Sequence, residues 1–258
     1  MKAQGATAQE QGDCRIVVIR ATSAVLWQEL RSACDDALAQ DLSFVAILGS
    51  ADAFAEERLL MDEDRQRAAR FRQDRDRHNL ILGRTIVHYL VRPQGAAAPY
   101  PLSRGPHGKP FLPEAPAFNL SHSDRWVACA VSPREPIGID VETFGRLSDY
   151  RGVLSVIAHP AERQCIEQAL PEDRLAGFKR CWTRKEAILK ATGKGLIDHL
   201  QSIDVCLDQR EPVLQQPMPL RLIDLPMQGE QPTMALALAP SVPGVVVMMV
   251  DVADIVLH

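Results

Sequence analysis

The sequence has few of the features that mark a membrane, secreted or nucleic-acid-binding protein. No apolar run approaches the roughly 20 residues that a helix needs to cross a bilayer. The opening segment, MKAQGATAQEQGD, lacks the apolar core of a secretory signal. Acidic residues outnumber Lys and Arg, 33 to 29, and the net charge of −4 argues against a general nucleic-acid binder. We therefore expect a cytoplasmic protein that binds neither membranes nor nucleic acids.

Several catalytic and metal-binding patterns are also missing. The six cysteines form no CxxC pair and have no nearby histidine at metal-ligand spacing, which is typical of reduced, mostly buried residues. No GxSxG elbow surrounds a serine, which disfavours a serine hydrolase. The glycines beside Lys194 lack the GxxxxGK[ST] spacing of a phosphate-binding P-loop.

Hydrophobic patterning predicts a mixture of helices and strands in a chain of 258 residues, long enough for one large domain or two small ones. A region rich in Pro and Gly, 93–117, predicts loop with short extended pieces. Strands are expected at 14–20, 41–48, 125–131, 137–142, 234–239 and 244–252. Helices are expected at 24–40, at 53–92 with a break near Gln73, after Pro160, and at 173–192.

Two strand-like segments are similar to each other. WVACAVSP (126–133) and MALALAPS (234–241) share an alternating pattern of small and apolar residues that ends near proline. Two α+β halves joined near Pro136 would account for this similarity. We expect a disordered N-terminus over 1–13 and two subdomains, 14–135 and 136–258.

Two carboxylates lie close together in the segment IGIDVE. Because strand side chains alternate between faces, Asp140 and Glu142 are expected on one face, with Ile139 and Val141 toward the core. Such a pair repels unless it is solvated, protonated or bridged by a cation, and carboxylate oxygens suit Mg²⁺. The segment is therefore either the solvated edge of a sheet or part of a metal site.

The segment CWTRKEAILKATGKGL (181–196) carries an acid and a base one helical turn apart. Glu186 and Lys190 are four residues apart and so lie on one helix face. An exposed pair of this kind contributes only about 0.3–0.5 kcal/mol. The motif therefore indicates either an ordinary surface ion pair or two side chains that share a ligand. Gly193 permits the helix to end.

Two short segments have the composition of phosphate-binding loops. FNLSHS places His122 between Ser121 and Ser123, directly before a predicted strand. The serines could simply cap or turn the chain, whereas a histidine beside hydroxyl groups could hold a phosphate. GPHGKP adds Lys109 on a loop shaped by Gly and Pro.

The segment RQRAARFRQDRDR (65–77) is rich in arginine on a predicted helix. Its simplest interpretation is a solvated helix face. Arg67 and Arg70 lie three residues apart and could converge on an anion. A DNA-reading helix fits poorly with the acidic total.

Taken together, these segments resemble the 4′-phosphopantetheinyl transferases, specifically the larger, pseudo-dimeric type that activates nonribosomal peptide and polyketide synthases. The resemblance covers about residues 60 to 200. Its most specific part is GxDxE followed by W[ST]xKEAxxKxxGxGL. The motifs occur in the family's order and approximate spacing: GKPFL (108–112), FNLSHS (118–123), GIDVE (138–142) and WTRKEAILKATGKGL (182–196).

The resemblance implies an α+β fold of two similar α/β subdomains with the active site between them, in a monomer. The N-terminal subdomain would bind coenzyme A, and the C-terminal subdomain would hold the metal and the catalytic groups. The implied reaction transfers the 4′-phosphopantetheine arm of coenzyme A to a serine of an apo acyl or peptidyl carrier protein. It would depend on Mg²⁺, or on Mn²⁺, and release adenosine 3′,5′-bisphosphate.

The resemblance also implies roles for individual residues. The metal-binding acids would be Asp140, Glu142 and Glu186, and the catalytic residues Glu186 and Lys190. Glu162 lies where some relatives supply a further acid, but its surroundings match too loosely to assign it. The coenzyme-binding positions would be Arg67, Arg70, Arg104, Lys109, Ser121, His122 and Lys190.

Two alternatives share these motifs. One is a Mg²⁺-dependent phosphodiesterase, and the other is a noncatalytic carrier-binding protein of the same fold, which the retention of the three acids and Lys190 disfavours. For a transferase, we expect the carrier protein to dock between the two halves, near Thr183 to Lys185 and the turn after His159.

Overall fold

The protein is represented by a computed structural model that describes most of the chain. The described residues are 7–11, 14–18, 23–49, 55–92, 101–143, 150–193, 200–216, 218–225 and 232–251. The helices are α1 (Ser23–Ala39), α2 (Asp62–Ala68), α3 (Asp74–Leu90), α4 (Tyr150–Ile157), α5 (Pro160–Gln168) and α6 (Arg174–Thr192), with 3₁₀ turns at Glu57–Leu59 and Leu200–Ser202. The strands are β1 (Thr7–Gln11), β2 (Cys14–Val18), β3 (Ser43–Gly49), β4 (Ser103–Arg104), β5 (Pro110–Phe111), β6 (Ala117–Ser123), β7 (Trp126–Ser132), β8 (Ile137–Glu142), β9 (Val213–Leu214), β10 (Leu220–Leu225), β11 (Thr233–Leu238) and β12 (Val245–Asp251).

The helix ends follow from local sequence. Gln73 has extended backbone angles, φ −108° and ψ 130°, and separates α2 from α3. At the start of α5, Pro160 follows His159, and a capping box joins His159 to Glu162. Gly193 ends α6 in the left-handed conformation, with φ 64°, and its N–H donates to the Leu189 carbonyl.

The strands form two larger sheets and a small β4–β5 ribbon. The first sheet has the order β1-β2-β12-β3-β7-β6, and the second has the order β8-β11-β10-β9. β12 runs parallel to both β2 and β3, whereas the remaining pairs in the two sheets are antiparallel. The last strand among the described residues, β12, therefore lies within the first sheet, although its residues belong to the predicted C-terminal subdomain.

A repeated arrangement occurs in the two halves of the chain. In the first half, β3 and α3 are followed by the antiparallel strands β6 and β7, and β7 pairs with β3. In the second half, β8 and α6 are followed by β10 and β11, and β11 pairs with β8. The similar segments WVACAVSP and MALALAPS thus begin in corresponding strands, β7 and β11. This repeat agrees with the predicted α+β fold of two similar subdomains.

Successive side chains along each strand point to opposite faces of its sheet, and the described residues accordingly form three hydrophobic cores. In β3, Phe44 and Leu48 pack with α1 and α3, whereas Val45 and Ile47 face the opposite way. The opposite face forms a central core with side chains of the second sheet, such as Ile139. The outer face of the second sheet packs with α4, α5 and α6. The two sheets are therefore stacked between two layers of helices.

Most predicted elements are confirmed, but two expectations need correction. FNLSHS lies in strand β6 itself and does not merely precede a strand. Residues 7–11 pair with β2, although 1–13 were expected to be disordered. α4 and β10 were not predicted. The division between residues 135 and 136 stays a prediction. Among the described helices, none is both long and apolar enough to cross a membrane.

Candidate active site

The two acids of β8 lie on the side of the strand that faces α6. Asp140 is only 2% exposed, so of the two interpretations of this segment the solvated sheet edge is wrong for this residue. Ile139 and Val141 face the central core as expected. The strand and helix approach closely at Gly138, where a Cβ atom would lie 2.2 Å from the Ala187 carbonyl oxygen. This close packing holds Asp140 beside the last turns of α6.

Lys190 reaches Asp140 from α6. Its ammonium lies 2.6 Å from Asp140 Oδ1 and 2.7 Å from Ser121 Oγ of β6. Ser121 Oγ is also 3.3 Å from Asp140 Oδ1. The other carboxylate oxygen, Asp140 Oδ2, is buried and has no hydrogen-bond partner within the described part of the protein. The site therefore brings together β6, β8 and α6 and leaves one anionic oxygen unpaired.

Glu142 and Glu186 share the electrostatic field of Asp140. Burial, followed by the charge of Asp140, raises the pKa of both carboxyl groups. Lys190 acts in the opposite direction on both, and Ser123 also stabilises the ionised form of Glu142 by donating a 3.0 Å hydrogen bond. Asp140 is thus close enough to both glutamates to oppose their ionisation.

This donor set fits a hard divalent cation in its chemistry. Mg²⁺ prefers oxygen ligands, and the site offers three carboxylates, one of which, Asp140, has a buried oxygen without a partner among the described residues. A cation would also offset the charge of Asp140, which, after burial, is the second cause of the raised pKa values of Glu142 and Glu186. Within the described ranges, no three His, Cys, Asp or Glu side chains are already gathered in a closed metal-binding set. The assignment of Asp140, Glu142 and Glu186 as metal ligands consequently stays a prediction.

Neighbouring charged residues of the α6 motif point in different directions. The Arg184 guanidinium pairs with Asp224 and bonds the carbonyls of the 205–210 segment. The Lys185 ammonium lies 3.0 Å from Glu162, and both side chains are almost fully buried. The next residue, Glu186, lies close enough to Asp140 and Lys190 for their charges to shift the pKa of its carboxyl group. Helical geometry, at about 100° per residue, separates two structural ion pairs from the candidate site.

Glu162 and the segment Thr183 to Lys185 are buried in the structure. Glu162 is 1% exposed, accepts hydrogen bonds from the backbone of His159 and Val205, and pairs with Lys185. These contacts explain Glu162 as a structural residue rather than a fourth metal ligand. Thr183, Arg184 and Lys185 are at most 1% exposed and so cannot themselves contact a carrier protein, whereas docking near them and near the turn after His159 stays a prediction.

A cavity of about 280 Å³ reaches the site at Ser121, whose hydroxyl contacts Asp140 and Lys190. Four of the predicted coenzyme-binding residues line it, namely Arg67, Arg104, Ser121 and His122. Partial burial, followed by the Lys190 charge, lowers the pKa of His122, although the side chain keeps solvent-exposed surface. Arg70 is exposed and is not among the residues that line the cavity.

Lys109 contacts backbone at the base of the site. Its ammonium donates to the carbonyls of Ile137, at 2.8 Å, and Ala191, at 3.3 Å. Burial lowers the pKa of Lys109, against a smaller opposing effect of Glu135. Lys109 is not among the residues that line the cavity, and these contacts join its loop to β8 and to the end of α6.

Arg84 lines the cavity but was not predicted as a site residue. Its guanidinium pairs with Asp64 at 2.6 Å, and its Nε is buried without a hydrogen-bond partner among the described residues. In the sequence, Arg84 ends the segment LILGR (80–84) within the helix predicted over 53–92. Its position beside Arg67 and Arg104 depends on how α3 packs against β6 and β7, which local patterns do not reveal.

Comparisons with known proteins match both halves of the chain. A model described as 4′-phosphopantetheinyl transferase, N-terminal, matches residues 50–134, and one described as 4′-phosphopantetheinyl transferase superfamily matches 136–225. The 4′-phosphopantetheinyl transferase HetI of Nostoc is 33% identical over 167 residues, which cover 62% of this chain and 70% of HetI. The chain belongs to the 4′-phosphopantetheinyl transferase superfamily. The match of two successive models supports the larger type within it.

Other relatives in this superfamily are comparably similar. A 4′-phosphopantetheinyl transferase of Bacillus subtilis is 32% identical over 151 residues, 56% of this chain and 65% of the relative. The 4′-phosphopantetheinyl transferase gsp of Aneurinibacillus migulanus is 30% identical over 154 residues, 59% of this chain and 64% of the relative. The chain thus spans just under two thirds of the length of these two phosphopantetheinyl transferases.

Proposed function

We propose that this protein transfers the 4′-phosphopantetheine arm of coenzyme A to a serine of an apo carrier protein. The observation that carries the proposal is the cavity lined by Arg67, Arg104 and His122, which meets the Asp140–Lys190 pair at Ser121. Basic side chains there suit the phosphates of coenzyme A, and the adjacent carboxylates suit a metal beside its pyrophosphate. The names of the relatives point to the same reaction.

We further propose that Asp140, Glu142 and Glu186 would hold Mg²⁺, or Mn²⁺ in its place. The ion would supply Lewis-acid stabilisation of charge on the pyrophosphate oxygens. Lys190 has its ammonium within hydrogen-bonding distance of Asp140 and would offset further charge on those oxygens. The protein's part is to keep these opposite charges together at the end of a packed helix.

The transfer exchanges one phosphorus–oxygen bond for another. The carrier serine oxygen bonds to the phosphorus of the pantetheine phosphate, and the bridging pyrophosphate oxygen leaves with adenosine 3′,5′-bisphosphate. The serine proton goes to a base, for which we propose Glu186. Burial raises the pKa of Glu186, which makes it a better proton acceptor near neutral pH than an exposed carboxylate. The leaving bisphosphate keeps its charge beside Arg67, Arg104 and His122.

The variant Glu186→Gln tests this proposal. Loss of the base and of one metal-binding acid should lower the transfer rate by at least about a hundredfold, while thermal unfolding stays close to wild type. The measurement is mass spectrometry of an apo carrier protein incubated with coenzyme A and Mg²⁺. Glu172→Gln is a matched control, because Glu172 is exposed and outside the site. Near-wild-type carrier loading by Glu186→Gln would refute the assignment.

The same assay separates the alternative functions. A phosphodiesterase would consume coenzyme A without adding mass to the carrier. A noncatalytic carrier-binding protein would bind the carrier and leave coenzyme A intact. One chain contains both repeated halves around the site, so we propose that the monomer is the active form, and gel filtration at the assay concentration checks this.

A further inference from the structure

The edges of the two sheets meet through side chains instead of a backbone ladder. β6 ends the first sheet and β8 begins the second. Asn119, Ser121 and Ser123 alternate along β6 and therefore point toward the same face. Their side-chain oxygens accept hydrogen bonds from the backbone N–H groups of Ile139, Val141 and Thr143, at 2.9, 3.1 and 3.1 Å. Side chains of the motif NLSHS thus accept hydrogen bonds from alternate backbone N–H groups along the edge of the second sheet.

Three neighbouring groups restrict the orientation of the Ser123 hydroxyl group. A serine hydroxyl has one proton to donate and two acceptor positions. Ser123 Oγ accepts from the Thr143 N–H, and Thr143 Oγ1 lies 3.1 Å away as a second possible donor. With those two contacts in the acceptor positions, the hydroxyl proton is left for Glu142 Oε2, at 3.0 Å.

We propose that Ser123 is a positioning residue for Glu142 and that it holds this carboxylate in place for a divalent cation. The inference rests on the proposed metal-dependent function. Ser123 would not touch the ion or coenzyme A. The Ser123 hydroxyl group holds Glu142 Oε2. Because the carboxylate is planar, this bond also sets the direction in which the other oxygen, Oε1, points. Partners of this kind around metal ligands commonly influence affinity as strongly as tenfold or more.

The same row of side chains provides a matched control. Asn119 makes the equivalent bond to the Ile139 N–H, but the residue before Ile139 is Gly138, which has no carboxylate to orient. Asn119→Ala and Ser123→Ala should therefore both remove one bond between the sheets. Only Ser123→Ala also removes a bond to a candidate metal ligand.

Mn²⁺ binding, followed by electron paramagnetic resonance of the free ion, tests the proposal without relying on turnover. Ser123→Ala should weaken Mn²⁺ binding about tenfold, and Ser123→Thr, which retains the hydroxyl, should restore most of the affinity. Asn119→Ala should lower the urea midpoint of unfolding to a similar extent as Ser123→Ala while Mn²⁺ affinity stays at the wild-type value.

Two results would overturn the inference while leaving the proposed function intact. One is wild-type Mn²⁺ affinity in Ser123→Ala, and the other is an equal loss of affinity in Asn119→Ala, provided that the wild-type protein binds Mn²⁺ and loads the carrier. If the wild-type protein neither binds Mn²⁺ nor loads a carrier, the proposed function fails, and the inference about Ser123 fails with it.

Discussion

The buried pair between Lys185 and Glu162 gives a sharp test of which motif residues support the fold and which support the chemistry. We consider Lys185→Met, which keeps a long side chain and removes the charge. The side chains of Lys185 and Glu162 are 2% and 0% exposed, and their charged atoms are 3.0 Å apart. The Lys185 ammonium also donates to the carbonyls of Leu200 and Ile203, at 2.9 and 2.5 Å.

The substitution leaves a buried carboxylate without its cation and leaves two carbonyl groups without their donor. Breaking a buried ion pair by removing one partner costs about 3–5 kcal/mol. Glu162 keeps the N–H groups of His159 and Val205, both at 2.7 Å, which favours the lower end of that range. For a chain of this size, about 3 kcal/mol corresponds to a fall of roughly 6–12 °C in Tm.

Differential scanning calorimetry measures the loss of stability, and carrier loading at a temperature well below Tm measures the chemistry. Lys185→Met should unfold earlier and yet load the carrier at close to the wild-type rate per folded molecule, in contrast to Glu186→Gln. Lys179→Met, on the same helix but partly exposed, is the matched control and should change Tm much less. The double variant Glu162→Gln/Lys185→Met should recover part of the loss, because it removes the uncompensated charge.

A Tm for Lys185→Met within about 2 °C of wild type, less than about 1 kcal/mol of stability at this chain length, would contradict this prediction. A loss of loading per folded molecule as large as that of Glu186→Gln would contradict it equally. The first result would mean that the Lys185–Glu162 pair contributes little to stability, and the second that Lys185 contributes to the chemistry.

Two further predictions concern the contact between β8 and α6 and the acids beside it. Gly138→Ala should destabilise the protein by about 3 kcal/mol, the upper end of the usual cost of overpacking, because the new Cβ would lie 2.2 Å from the Ala187 carbonyl oxygen; urea unfolding near the wild-type midpoint would contradict this. The raised pKa values of Glu142 and Glu186 mean that the folded protein holds their protons more tightly than the unfolded chain does. Their contribution to stability is therefore fully present below the ordinary value of 4.5 and is lost as the pH rises through the raised values. At neutral pH, Mg²⁺ should raise Tm relative to EDTA, and Glu142→Gln should reduce both the pH dependence and the Mg²⁺ effect; an unchanged pH profile in that variant would contradict the explanation.

The local patterns of the sequence were sufficient to predict most helices and strands near the site. Alternating apolar residues in IGIDVE predicted β8 and the shared face of Asp140 and Glu142. The helical spacing and Gly193 predicted the extent of α6. FNLSHS was less informative, because its polar side chains concealed a strand whose alternate residues bond the neighbouring sheet edge. This polar segment is extended because it lies beside the edge strand of the second sheet, β8. That neighbour belongs to the other sheet and is not visible in local sequence patterns.

The family, the order of the motifs and most of the local elements that carry them could be predicted from the amino-acid sequence alone. Which charged groups meet depends on the tertiary fold. It paired Lys190 with Asp140, turned Lys185 toward Glu162, directed Lys109 to two backbone carbonyls and inserted β12 into the first sheet. Periodicity reports the face on which a side chain lies, since it depends on neighbours along the chain. The partner across that face depends on which distant strand or helix packs there.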